Sequence, residues 1–146
     1  MTLKGTLIGF DYGERRIGVA VVDTAFPVPR ALAVIDGDSN AARFAAIDKL
    51  AAEWQPAGFV VGEPRHSDGS PHAVAMLAGK FARRLAARYH RPVLLVDETL
   101  TSVEAARRIR ENGGRAARGS EVDAVAAEII LQSYLDDPDS GEHAAS

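Results

Sequence analysis

Two apolar runs in this chain lead straight into acids. Leu7-Ile8-Gly9-Phe10 ends at Asp11, and Val93-Leu94-Leu95-Val96 ends at Asp97-Glu98. Short continuous apolar runs read as strands of a buried sheet, and a carboxylate at the end of one is costly unless something pairs with it. The fold must therefore bring these strand ends to a rim where acids are compensated. A third acid, Asp123, opens the last strongly periodic segment, Ser120-Glu121-Val122-Asp123-Ala124-Val125. The simplest common partner for converging carboxylates is a hard divalent cation. That points to metal-assisted phosphodiester chemistry.

Composition narrows the classes. The 146 residues are enough for one domain of ordinary size. A hydrophobic content of 47% with 25% charged residues is that of a soluble globular protein. No apolar stretch approaches the roughly 18–20 residues that span a bilayer, and Asp11 interrupts the first apolar run, so no secretory signal is read. A cytoplasmic protein with no membrane partner is expected. The absence of cysteine removes disulfides, thiol catalysis and cysteine-ligated zinc. The net charge of -3 hides an asymmetry: the first 120 residues hold all 17 Lys and Arg against 13 acids, and the remainder holds 7 acids and no Lys or Arg. A mildly basic body with an acidic C-terminal segment is compatible with a polyanionic partner.

Along the chain, Leu7–Asp11 and Ile17–Val22 read as a hairpin around Tyr12-Gly13-Glu14-Arg15. Pro27 and Pro29 read as a break, and Ala31–Ile35 as a third strand. Ser39 is a suitable N-cap for a helix carrying Phe44, Ile47, Leu50, Ala51 and Trp54 at helical spacing, ended by Gln55-Pro56. Phe59-Val60-Val61-Gly62 reads as a fourth strand, buried on both faces. Ser70-Pro71 opens a second helix with Val74, Leu77, Ala78, Phe81, Leu85 and Tyr89 on one side. Pro92–Val96 is a fifth strand. Thr101-Ser102-Val103-Glu104 is a capping box for a third helix, stopped by Asn112-Gly113-Gly114, and Ser120 caps a fourth. The expected fold class is α/β, a five-stranded mixed sheet with an antiparallel meander, parallel strands and helices on both faces. Residues 1–135 form the single domain, and the polar segment 136–146 reads as a disordered acidic tail.

Ligands of such sheets collect at the carboxyl ends of the parallel strands, where Asp11 and Glu98 fall. With Asp123, these acids could hold two magnesium or manganese ions about 3.5–4 Å apart. Asp97 and Glu98 point to opposite sides of an extended strand, so Glu98 is taken as the ligand and Asp97 as a supporting residue. Each acid also has an ordinary role open to it: Asp11 in a turn, Asp123 in the first turn of a helix, Glu98 beside a helix end. No phosphate-cradling Gly-x-x-x-x-Gly-Lys and no Gly-x-Ser-x-Gly elbow is present. The four histidines lack metal-binding helix spacing, and His66 falls in the loop after the fourth strand. Arg110, Arg115 and Arg118 flank a glycine-rich segment before Asp123 that could grip a phosphate backbone. Lys80, Arg83, Arg84 and Arg88 make a basic stripe on the second helix.

These residues resemble the motifs of a known family. Gly9-Phe10-Asp11-Tyr12-Gly13 with Arg16-Ile17-Gly18-Val19-Ala20 is similar to its opening motif, and Val61-Gly62-Glu63-Pro64 with Asp68-Gly69-Ser70 to its second. Asp97-Glu98-Thr99-Leu100-Thr101-Ser102-Val103-Glu104-Ala105 is similar to its third, and Val122–Ala127 with Ile130–Leu135 completes the set. The family is YqgF, described as pre-16S ribosomal RNA nucleases or Holliday-junction-resolvase-like proteins, and the resemblance runs from about Leu7 to Leu135. It implies a ribonuclease-H-like fold, Asp11, Glu98 and Asp123 as the catalytic, metal-binding set, bacterial cytoplasm, and trimming of the 5′ end of the small-subunit ribosomal RNA precursor. Arg16, in the opening motif, is taken with Arg110, Arg115 and Arg118 as a nucleic-acid contact. The second motif departs from the family pattern at Glu63 and His66, and Thr99 stands where a basic residue usually follows Asp-Glu. Glu63 is accordingly taken as an accessory carboxylate.

The leading expectation is a metal-dependent endonuclease acting on precursor ribosomal RNA or the pre-ribosomal small subunit. A resolvase of four-way DNA junctions would use the same metal chemistry and need a symmetric dimer. A non-catalytic RNA-binding assembly factor would bind without metal.

Overall fold

The computed structural model describes residues 3–37, 39–63, 73–97, 119–138 and 142–143. Three antiparallel strands come first: β1 (Thr6–Asp11), β2 (Arg16–Asp23) and β3 (Phe26–Asp36). Helix α1 (Asn40–Trp54), strand β4 (Gly58–Glu63), helix α2 (Ala73–Tyr89) and strand β5 (Val93–Asp97) follow, then helix α3 (Gly119–Asp136) and a two-residue strand β6 (Glu142–His143). The sheet order is β3-β2-β1-β4-β5-β6, with β1, β4 and β5 parallel and β6 antiparallel to β5. The five long strands are those expected from the sequence. The ribonuclease-H-like arrangement of meander plus parallel strands is present.

Alternation along the strands divides the interior into two layers. Ile8, Phe10, Ile17, Val19, Phe59 and Val61 face α1 and α2, where they pack on Phe44, Ile47, Phe81 and Leu85. Leu7, Ala20, Val22, Val60, Leu94 and Val96 face α3 and meet Ala127, Ile130, Leu131 and Tyr134. The first layer is aromatic at its centre, with Phe10 stacked on Phe59 at 5.9 Å and edge-on to Phe81 at 5.5 Å between ring centroids. Each such side chain contributes about 1.5–3 kcal/mol by leaving water, so this face anchors the sheet.

The helix ends follow local chemistry. Ser39 accepts a hydrogen bond from the Ala42 N–H as N-cap of α1. Gln55 (φ 46°) and His90 (φ 54°) close α1 and α2 in the left-handed region, donating their N–H groups to Ala51 and Ala86. Proline follows within two residues in each case, and no helix continues through it. Between the helices, Arg88 donates to both Asp48 carboxylate oxygens at 2.9 and 2.6 Å, and the Tyr89 hydroxyl donates at 2.6 Å. The Arg88 hydrogen bond, then that from Tyr89, holds the Asp48 carboxyl down at about 2.

The structure corrects three expectations. Pro27 and Pro29 do not break the chain; β3 starts at Phe26 and runs through both. Strand β3 lies at the sheet edge, and its pairing to β2 passes from Phe26 to Arg30 without them. The two prolines share one parity, so the N–H groups they lack would face the open edge, the position a strand proline tolerates. Ser120 is the second residue of α3 rather than its cap. The segment 136–146, expected to be disordered, contributes Asp136 to α3 and β6 to the sheet, where Glu142 and His143 pair with Leu95 and Leu94. The expected helix from Thr101 and the Ser70-Pro71 cap lie outside the described residues. No helix among the described residues is long and apolar enough to cross a membrane.

At the far end of the sheet, the buried Leu3 N–H donates to the Tyr134 hydroxyl at 2.9 Å. Tyr134→Phe leaves that donor without a partner. Unfolding in urea should show a loss of about 1–2 kcal/mol, with the fold otherwise unchanged.

Candidate active site

Asp11 is the last residue of β1 and is largely buried. Its parity with Leu7 and Gly9 sets it on the α3 side of the sheet. Both its sheet partners are glycines: Gly18 on antiparallel β2 and Gly62 on parallel β4. No side chain from either neighbouring strand crowds the carboxylate at its own level.

Helix α3 uses the space above Gly18. A Cβ added there would lie 1.8 Å from the carbonyl oxygen of Asp123 and 2.9 Å from the Ala124 nitrogen. The helix backbone therefore rests directly on the strand, which only glycine permits. Gly18 is also the cross-strand partner of Asp11, and such partners lie about 4.5–5.5 Å apart between Cα atoms. A single glycine thus brings Asp123 to the level and face of Asp11, although 112 positions separate the two acids in the sequence. Two residues before Asp11 on β1, Gly9 admits the Leu131 side chain in the same way.

Among the described residues, Asp123 forms one ion pair. The Nε of Arg16, first residue of β2 and on the same face, lies 3.0 Å from its Oδ2. That oxygen is shielded from solvent and, among the described residues, Arg16 is its one close polar contact. Burial pushes the Asp123 carboxyl above its ordinary value, and Arg16 pulls the other way. A shielded carboxylate oxygen with incomplete compensation, beside a second largely buried acid, has the donor chemistry of a hard cation site. Asp11 and Asp123 therefore fit a divalent metal.

The remaining candidates are distributed differently. Asp97 ends β5 on the same rim, but its parity with Val93 and Leu95 sets it on the α1 and α2 side of the sheet, opposite Asp11. Glu63 ends β4, in register with Asp97. Glu98, His66, Thr99, Arg110, Arg115 and Arg118 lie outside the described residues. Among the described residues, no group of three acids or histidines is placed to hold a metal ion. Arg16, expected to contact nucleic acid, is engaged with Asp123. Sequence reasoning did not single out Gly18 and Gly62. The available signal was a glycine inside an otherwise apolar strand, Ile17-Gly18-Val19, which marks close approach of another backbone.

A family profile described as "RuvX: Holliday junction resolvase" matches residues 5–137. The chain belongs to this RuvX/YqgF family. It is similar to a protein of Dechloromonas aromatica (strain RCB) named "Putative pre-16S rRNA nuclease", 49% identical over 135 residues that cover 92% of each chain. A protein of Methylobacillus flagellatus with the same name is 47% identical over 91% of this chain and 92% of its own. Among solved structures, the fold is similar to T. thermophilus RuvC in complex with Holliday junction substrate (TM-score 0.58, 18% identity, 95% of this chain and 99% of that one). It is also similar to the yeast mitochondrial Holliday junction resolvase Ydc2 (TM-score 0.54, 10% identity, 92% of this chain and 79% of that one). At those identities the likeness is one of fold. Together the family and its relatives make this RuvX member a nuclease, an enzyme that hydrolyses phosphodiester bonds.

Two outcomes test this geometry. Gly18→Ala should lift α3 from β2 and cost about 3 kcal/mol by denaturant unfolding, because the new Cβ meets rigid backbone. Asp123→Asn should raise the melting temperature of the metal-free protein at pH 7. The folded-state carboxyl is raised, so its ionisation lowers stability as pH rises from the ordinary value of 3.8 through the raised one. The advantage of the Asn variant should vanish at pH values below 3.8, where the carboxyl is protonated in both states.

Proposed function

We propose that this nuclease is a divalent-metal-dependent endonuclease acting on the precursor of the small-subunit ribosomal RNA. The observation that carries the reading is the meeting of Asp11 and Asp123 on one face through Gly18. The names of the relatives support the substrate.

In this reading Asp11, Asp123 and Glu98 hold Mg²⁺ or Mn²⁺, as two ions. Glu98 follows Asp97, the last residue of β5, in the chain. The bound ions would activate water and neutralise charge developing on the phosphate oxygens. The protein's own contribution is placement. Asp11 is fixed by its strand, Asp123 by helix backbone pressed on Gly18, and neither pays much entropy to adopt its position. Arg16 neutralises Asp123 while the two acids share one dry face, limiting their mutual repulsion. Asp97, on the opposite face of the rim, and Glu63 beside it would support the site from outside the metal-binding set. Arg110, Arg115 and Arg118 would add phosphate contacts. Hydrolysis should leave a 5′ phosphate and a 3′ hydroxyl.

The description of the family and the fold likeness to junction resolvases make a four-way DNA junction the second substrate to test. A labelled precursor small-subunit RNA fragment and a four-way junction should be incubated with manganese, with magnesium and with chelator. RNA cutting that needs metal is expected. Asp11→Asn should reduce it by more than roughly 10³-fold, about 4 kcal/mol of barrier, with folding retained. Cutting of the junction alone would move the enzyme to the resolvase class, and metal-independent binding without cutting of either would make it an assembly factor.

A further inference from the structure

Arg43 is a buried cation with no carboxylate partner among the described residues. It lies in the first turn of α1 with 4% of its surface exposed. Its Nε donates to the Gly37 carbonyl at 3.0 Å, and its guanidinium sits 5.7 Å from the centre of the Tyr12 ring. Among the described residues no acid pairs with it. Burying a charge is costly unless it is paired, and a backbone carbonyl and an aromatic face offset that only in part.

Arg43 lines a cavity of about 240 Å³ together with Tyr12, Glu14, Asn40, Lys80 and Arg84. Lys80 and Arg84 project from α2 and, among the described residues, form no ion pair. Three cations therefore face one exposed acid, Glu14. The start of α1 adds the positive end of a 15-residue helix. Pockets that enclose whole small ligands run to about 300–1,000 Å³; this one is sized for a single charged group.

The excess charge is local. The larger adjoining cleft, about 650 Å³, shares Asn40, Phe44 and Arg84 with it, but there Arg88 is neutralised by Asp48. Position in the fold supplies the rest. Tyr12 follows Asp11 in the chain, and the Gly37 N–H donates to the Arg15 carbonyl at 3.3 Å, tying the entry to α1 to the β1–β2 turn. The pocket thus opens on the rim that carries the candidate active site, on the other side of the sheet from α3.

We propose that this pocket binds a backbone phosphate of the nucleic-acid strand that lies across the rim at Asp11 and Asp123, at a position flanking the bond to be cut. The proposal rests on the nuclease reading for the identity of the strand. Arg43 is the rigid contact, held in place by Gly37 and Tyr12, while Lys80 and Arg84 close on the phosphate from α2. The site recognises no base, so its contribution is affinity and register.

Binding of a fluorescently labelled single-stranded RNA should be measured by anisotropy at several salt concentrations, in chelator, on an Asp11→Asn background. Against that parent, Arg43→Gln, Lys80→Gln and Arg84→Gln should each weaken binding several-fold. Each should also flatten the slope of log affinity against log salt by about 0.7, the loss of one phosphate contact on a single strand. Arg91→Gln, an exposed cation at the opposite end of the sheet, should leave the slope unchanged. Unchanged slopes for Lys80→Gln and Arg84→Gln would overturn the proposal. These two residues are exposed, so they decide the matter even if Arg43→Gln does not fold. Inorganic phosphate is titrated separately by thermal shift: tight binding that is lost in the variants, with RNA affinity unaltered, would mark a small-anion site and also overturn it. Cleavage by the unsubstituted protein separates the two readings. If it cuts RNA but the slopes hold, the phosphate site alone is wrong; if it cuts neither RNA nor junction but the slopes fall, the nuclease reading is wrong and the site stands.

Discussion

The structure depends on one close contact, the backbone of α3 pressed against Gly18 of β2. Asp123 reaches the rim because no Cβ stands between its carbonyl and the strand. The same helix covers one whole face of the sheet, burying Ala127, Ile130, Leu131 and Tyr134 against Leu7, Val22 and Val60. Packing and placement are therefore one event: the apolar stripe of α3 supplies the energy of docking, and the missing side chain at position 18 sets its height. A helix standing further off would retain much of its buried area and lose the meeting of Asp11 with Asp123.

Electrostatics on the two faces of the sheet take opposite forms. On the α3 side, acids meet in a partly desolvated space, with Arg16 as the compensating charge and the Asp123 carboxyl raised by burial. Such an arrangement is unfavourable until a cation completes it. On the α1 and α2 side, Arg43 is buried with no acid paired to it among the described residues, beside a cavity that Lys80 and Arg84 also line. In the proposed reading, a nucleic-acid strand with its metal ions would answer both charge patterns at one rim. Asp48 and Arg88 show the contrasting case, a pair already closed on itself that joins two helices and leaves no charge to offer. The acidic net charge of -3 does not describe the surface a substrate meets. What decides is where the charges fall relative to the sheet.

Much of this was legible in the residues. The strands from Leu7, Ile17, Phe59 and Val93, and the helices around Phe44 and Leu85, follow from apolar period and capping. Proline misled because local propensity cannot see an edge: Pro27 and Pro29 would stop a central strand, and β3 has only one neighbour. The pairing of Glu142 and His143 with β5 was equally out of reach, since two polar residues carry no strand signal and their partners lie about 50 positions away. Asp97 and Glu98 were separable by alternation alone, and the structure sets Asp97 on the face opposite Asp11.

The sequence by itself determined which segments are apolar, where α1 begins and where α1 and α2 end, which acids stand at strand ends, and to which family the motifs belong. These properties are local, written in period, in caps and in the order of residues. The tertiary structure alone decided that Asp11 and Asp123 share a face, that Arg16 answers Asp123, and that Arg43 sits buried beside Tyr12. Those relations depend on strand order, on the height of α3 above Gly18 and on the packing of α1 against α2. They are distances between residues far apart in the chain, and only the folded backbone sets them.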